Sequence, residues 1–255
     1  MAVIELNYRS TELSRNISFK VILPVEYNLH DKEKKYKTLY LLHGYSGNLN
    51  DWLYNTQILK YAKLHNIAVV LPSAENSFYQ NYHGEDLKFG SFIANELVEV
   101  TRMIFPLSSR KEDTFIGGLS MGAFGSMLLG SQYYETFGAI ICLSGAYLVC
   151  DLQLQEEVSG TKSTIGEYRI GGKNDRGFQL LNAFDTAKEI QREGNLPPIY
   201  MACGTEDFLY DTNIIVSREL SKLGADLTWE QGSGGHDWEF WDLFIGRALD
   251  WLFRK

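Results

Sequence analysis

Residues 115–125 read FIGGLSMGAFG, one serine set among four glycines. Glycine loses more backbone freedom on folding than any other residue, so such a cluster marks conformations that other residues cannot adopt. Gly118-Leu119-Ser120-Met121-Gly122 fits the G-x-S-x-G pattern, in which a strand turns sharply into a helix and presents the serine hydroxyl. The chemistry expected of Ser120 is nucleophilic attack on a carbonyl carbon. A phosphate-binding loop is the competing reading, and the stretch lacks the Lys-Ser/Thr pair that such a loop needs.

A serine hydroxyl attacks poorly until a base takes its proton. Of the five histidines, His30 lies among charged residues and His65 ends an amphipathic pattern, so both read as solvated surface groups. His43, beside Gly44 at a strand end, is placed to shape a loop, and His83 in NYHGED is a candidate for the wall of a site. His236 in QGSGGHDW sits in a glycine-rich loop between a last strand and a last helix, where a base would reach Ser120. The acid that orients it is expected in MACGTEDFLYD, at the end of the strand 198–204. Asp207 is the choice, with Glu206 and Asp211 as rivals; Asp211, before TNIIVSREL, reads better as a helix N-cap. Cys203, the other nucleophile type nearby, lies inside the apolar run IYMAC rather than at a helix start, and reads with Cys142 and Cys150 as a small buried hydrophobe.

Acyl transfer also needs two N–H donors aimed at the developing oxyanion. Met121 supplies one from the elbow, and Tyr45, in the loop His43-Gly44-Tyr45-Ser46-Gly47, is the choice for the second, although a glycine turn after any strand would look similar. Trp52, Phe78, Tyr79, Tyr82 and Trp238 either wall an apolar pocket, with His83, or pack the interior.

Positioning these residues requires an alternation of strands and helices, the mark of a mainly parallel sheet covered on both faces. ISFKVILP (17–24) alternates like a strand of an antiparallel N-terminal section. KTLYLLHG (37–44), IAVVLPS (67–73), TFIGG (114–118), GAIICLSG (138–145) and PIYMACG (198–204) read as buried strands. Helices are expected over 91–105, with Phe92, Leu97, Val100, Met103 and Ile104 facing inward, and over 121–133, 213–224 and 237–253. The irregular stretch 148–196 is expected to form a cap-like insertion over the carboxyl edge of the sheet within a single domain, 1–255.

The 255 residues carry a net charge of −8 without a basic cluster, which argues against nucleic acid as a partner. Three cysteines without a C-x-x-C pair argue against a disulfide framework and a zinc site. MAVIELNYRSTELSRN has no signal-peptide pattern and no stretch approaches the ~18 apolar residues of a membrane span, so a soluble, cytoplasmic protein is expected, without a membrane partner.

Taken together, LLHGYSGNLNDW, FIGGLSMGAFG, MACGTEDFLYD and GSGGHDWEFWD resemble the tributyrin esterase and feruloyl esterase group of the esterase D-like α/β-hydrolases, which is related to S-formylglutathione hydrolases. The resemblance runs over most of the chain and departs at Ala123-Phe124-Gly125 and over 148–196. It implies an α/β-hydrolase fold and a serine carboxylesterase acting on short-chain acyl or aromatic esters, without metal or organic cofactor. It also implies Ser120 as nucleophile, Asp207 as acid, His236 as base and an oxyanion hole from Tyr45 and Met121. Such esterases often form homo-oligomers. Two alternatives are S-formylglutathione-type thioester hydrolysis and a non-catalytic binding module. The first usually brings a cysteine into the loop where this chain has HGYSGN, and the second predicts a broken triad although all three positions are occupied.

Overall fold

The computed structural model describes residues 1–27, 33–82, 86–147 and 182–254. Eight strands form one sheet: β1 (Ala2–Arg9), β2 (Asn16–Leu23), β3 (Lys37–Leu42), β4 (Ile67–Pro72), β5 (Thr114–Leu119), β6 (Ala139–Leu143), β7 (Ile199–Gly204) and β8 (Leu227–Gly232), in the order β1-β2-β4-β3-β5-β6-β7-β8. β2 runs antiparallel to both of its neighbours, and every other pair is parallel. Parallel strands need crossovers, and the helices that make them cover both faces.

The side-chain period of two divides the apolar residues between two layers. Tyr40, Leu42, Val70, Ile116, Ile140 and Cys142 face one layer with helices α4 (Leu97–Ile104), α5 (Met121–Gln132), α6 (Ala183–Arg192) and α7 (Tyr210–Lys222). Leu39, Leu41, Val69, Phe115, Ile141 and Leu143 face the other, with α1 (Asp51–Asn55), α2 (Ile58–Leu64) and α8 (Trp238–Phe253). Each fully buried Leu, Ile or Phe contributes about 1.5–3 kcal/mol relative to exposure, so these layers hold the sheet rigid beneath the site. The strands expected from sequence are all present within a residue or two. β1, an edge strand whose burial alternates along its length, is an addition.

Three expectations need correction. A short α3 (Phe89–Ser91) runs into a π-helical turn, Phe92–Glu96, before α4. The extra residue taken up in that turn rotates the inward face to Ala94, Leu97, Val98 and Thr101, leaving Met103 79% and Ile104 47% exposed. Glu96, at the end of the turn, accepts hydrogen bonds from Ser10 Oγ (2.6 Å), Thr11 N (2.7 Å), Thr11 Oγ1 (3.0 Å) and Glu12 N (3.1 Å), tying the β1–β2 loop to the helix. Next, α6 belongs to the core: Asn182 caps it by accepting from Phe184 N and Asp185 N, and Ala183, Phe184 and Ala187 are buried. The expected insertion therefore does not extend to 196, and its part from 148 to 181 lies outside the described residues. Finally, His65 is not a solvated group; it stacks on Phe253 (4.9 Å) with Nε2 3.2 Å from Asp250.

Among the described residues, no helix is long and apolar enough to cross a membrane.

Candidate active site

β5 delivers Ser120 to the turn into α5 with φ 52° and ψ −116°, a left-handed conformation that costs a non-glycine residue energy. The surroundings hold it there. Ser120 N donates to Leu143 O (2.9 Å), and Ser120 O accepts from Phe124 N (3.1 Å) and Ala146 N (3.2 Å), fastening the elbow to the end of β6. The two motif glycines answer a close approach: a Cβ at Gly122 would lie 2.5 Å from Leu42 O, and one at Gly118 2.8 Å from the same atom. Only hydrogen at these positions lets the elbow sit against β3.

His236 Nε2 lies 3.0 Å from Ser120 Oγ, and its Nδ1 lies 2.9 Å from Asp207 Oδ2. Burial alone would raise the Asp207 pKa, but the hydrogen bond and charge of His236, with further donation from Leu209 N and Ser144, hold it below the ordinary carboxylate value. An ionised Asp207 takes the Nδ1–H, which leaves Nε2 free to accept the Ser120 proton. Ser144, at the end of β6, was not singled out from the sequence. It is fully buried, with φ 49°, and its Oγ accepts the Trp241 indole N–H at 3.0 Å.

The rivals for the acid do other work. Glu206 accepts from Gly234 N at 2.5 Å and donates its own N–H to Gly234 O at 3.1 Å, so it fastens the loop that carries His236. Asp237 closes the other end of that loop: Oδ2 accepts from Gly235 N (2.8 Å), while Oδ1 caps α8 through Phe240 N (2.9 Å). Asp211 is exposed in the first turn of α7, whose N-cap position is Leu209, so it is not the cap expected.

The loop carrying Tyr45 lies beside the serine, since a Cβ on Gly44 would be 3.7 Å from Ser120 Cβ. The segment after β4 holds this loop. Tyr79 OH donates to His43 O (2.9 Å), Ala74 N to His43 Nε2 (3.0 Å), and Ser46 N to Asn76 Oδ1 (2.7 Å). Because Nε2 accepts, Nδ1 carries the proton and donates to Gly44 O at 2.7 Å; burial also lowers the His43 pKa and keeps the ring neutral. His43 thus shapes the loop, as its sequence position suggested. Met121 opens α5, where an N–H has no acceptor within the helix.

The pocket residues divide. Trp52, Phe78 and Tyr79 are 1%, 1% and 0% exposed and pack the interior rather than wall an open pocket. Trp52 donates to Leu42 O and meets the half-buried Trp238 edge-on, while Phe78 meets Phe124 in the same way. Tyr82 is half-buried. His83, like His30 and Cys150, lies outside the described residues. Cys142 and Cys203 are buried, and burial pushes the Cys142 thiol up to about 12 and the Cys203 thiol higher still. Among the described residues, no group of three or more His, Cys, Asp or Glu side chains could hold a metal ion.

The family model Esterase, described as "Putative esterase", matches residues 10–249. The chain belongs to this esterase family. It is 38% identical to an acetyl esterase of Caldicellulosiruptor saccharolyticus over 99% of this chain and 98% of that protein. The esterase also superposes on fluorophosphonate-binding serine hydrolase F of Staphylococcus aureus, solved with substrate bound (TM-score 0.83, 27% identity, 100% of this chain and 99% of that one). A third likeness is to an S-formylglutathione hydrolase of Staphylococcus aureus (TM-score 0.79, 27% identity, 98% of each chain). The fold is that of the α/β-hydrolases, and the esterase is a carboxylic ester hydrolase.

Proposed function

We propose that this esterase hydrolyses short-chain acyl and aromatic carboxylic esters through an acyl-enzyme on Ser120. The observation that carries the reading is the chain of hydrogen bonds Ser120–His236–Asp207, at 3.0 and 2.9 Å. Ser120 Oγ adds to the ester carbonyl carbon as its proton moves to His236 Nε2, and Asp207 stabilises the imidazolium. The oxyanion is met by the N–H groups of Met121 and Tyr45, where a single such donor contributes about 2.7–4 kcal/mol. Collapse breaks the bond to the alcohol oxygen, which leaves with the Nε2 proton. Water then repeats the cycle on the acyl-enzyme, giving its proton to Nε2, and the serine regains that proton as the carboxylic acid departs.

Rates on acetyl, butyryl, octanoyl and feruloyl esters should show turnover that Ser120→Ala removes by about 10⁵–10⁶-fold in kcat. A fluorophosphonate should add one phosphonyl group to the wild type and none to the variant, read by intact mass. Labelling of a different residue, or full activity in the variant, would sink the assignment. The likeness to an S-formylglutathione hydrolase favours thioester hydrolysis as a second reading. The acidic net charge does not favour an anionic glutathione thioester. Including S-formylglutathione in the substrate series decides between them.

A further inference from the structure

We infer that Phe208 is the platform on which the alcohol portion of the ester lies, and that the site therefore favours esters of ring-bearing alcohols. The inference rests on the acyl-transfer reading of Ser120, His236 and Asp207. Two aromatic rings contact the His236 imidazole. Trp241 meets it edge-on at 4.9 Å, is 5% exposed and has its N–H committed to Ser144. Phe208 meets it at 4.7 Å with the planes inclined by 50°, and is 57% exposed. One aromatic neighbour of the base is thus held in the core, and the other is a bare ring open to solvent.

That exposure is built into the turn. Asp207 N donates to Gly204 O (3.1 Å), Tyr210 N to Asp207 O (3.0 Å) and Leu209 N to Asp207 Oδ1 (2.8 Å). The carboxylate that orients His236 through one oxygen therefore fixes the Phe208 turn through the other. Leu209, the next residue, is 6% exposed, so the turn sends one apolar side chain inward and leaves the other facing solvent.

The chemistry brings the alcohol to the imidazole that Phe208 contacts. His236 Nε2–H must protonate the leaving oxygen, so the first atoms of the alcohol lie against the imidazole as the bond breaks. A ring attached to that oxygen can cover the exposed Phe208 face, a contact that a two-carbon alcohol is too small to make. Contact with this face in the transition state raises kcat/KM for ring-bearing esters selectively.

Ethyl, cyclohexyl and phenyl acetate test this, because all three form the same acetyl-enzyme and differ only up to loss of the alcohol. Phe208→Ala should cut the preference for cyclohexyl and phenyl over ethyl acetate, as ratios of kcat/KM, by about tenfold, and Phe208→Trp should largely retain it. Loss of the same factor on all three esters would show that Phe208 merely supports His236, and no loss on any would show that the ring is idle; either overturns the platform. Ser120→Ala is run on the same esters. Turnover that survives there overturns the triad reading itself, and does so whatever the alcohol.

Discussion

The indole N–H of Trp241 donates to the Ser144 hydroxyl at 3.0 Å, which ties the end of β6 to α8. A hydroxyl has one hydrogen and two lone pairs, so Ser144 can accept from the indole and give its hydrogen to the ionised, acceptor-only Asp207, whose lowered pKa reflects that bond among others. The proposed acid thus rests on a buried relay that begins on α8. Ser144→Ala should lower kcat by about tenfold with little change in KM, consistent with roughly 1.5 kcal/mol for a hydrogen bond to a charged group. Trp241→Phe should cost less, since it leaves the hydroxyl free to rotate but present. An unchanged kcat in Ser144→Ala would remove Ser144 from the support of the acid.

Asp207→Asn should reduce kcat by on the order of 10⁴-fold, because an amide facing Nδ1 favours the wrong imidazole tautomer. Asp211→Asn, exposed on α7, should leave steady-state rates within twofold. Glu206→Gln keeps an acceptor for Gly234 N but loses its charge, and belongs between the two. A ranking with Asp211→Asn as the damaged variant would mean that Asp207 is not the acid.

Tyr79→Phe removes the hydroxyl that holds the His43 carbonyl, and Asn76→Ala removes the acceptor of Ser46 N–H. Both loosen the loop that carries Tyr45 without touching Ser120, His236 or Asp207. Each should lower kcat several-fold, and a transition-state analogue should lose affinity by a larger factor than KM rises. Equal factors in the two would assign the loop to ground-state binding instead.

Glu96 gives acid sensitivity to the scaffold. Burial would raise its pKa, yet the donors on Ser10, Thr11 and Glu12 outweigh that and hold it below the ordinary value. A lowered folded pKa stabilises the protein above the unfolded value, about 4.3, and that stabilisation fades as pH falls through the folded value. At pH 7, Glu96→Gln should destabilise by about 1–2 kcal/mol, read as the urea midpoint. The gap between wild type and variant should stay constant from pH 8 to 6 and close below pH 4. A gap that widens in acid would contradict the assignment.

The elbow was legible in the sequence because its requirements are local: Gly118, Ser120 and Gly122 lie within five residues, and the strand and helix around them have plain apolar patterns. The strands 37–42, 67–72 and 199–204 were legible for the same reason, being short apolar runs with sharp ends. Ser144 was not, because its partner Trp241 is 97 residues away and nothing beside it differs from an ordinary strand end. The π turn at Phe92–Glu96 escaped because a periodicity assumed regular cannot report the residue that breaks it. Trp52 shows the limit of reading aromatics from composition, since its burial is decided by Leu42 O and Trp238 rather than by its neighbours in sequence.

Asp237 caps α8 with one oxygen and closes the His236 loop with the other, so His236 is coupled to the seating of a helix that follows it. Phe240, Trp241, Phe244, Ile245, Ala248 and Leu249 of that helix must reach the interior before the cap, the indole relay and the imidazole can take their places. Under the proposed mechanism Ser120, far earlier in the chain than His236, stays an ordinary hydroxyl until α8 docks, and ester turnover becomes a late reporter of completed folding.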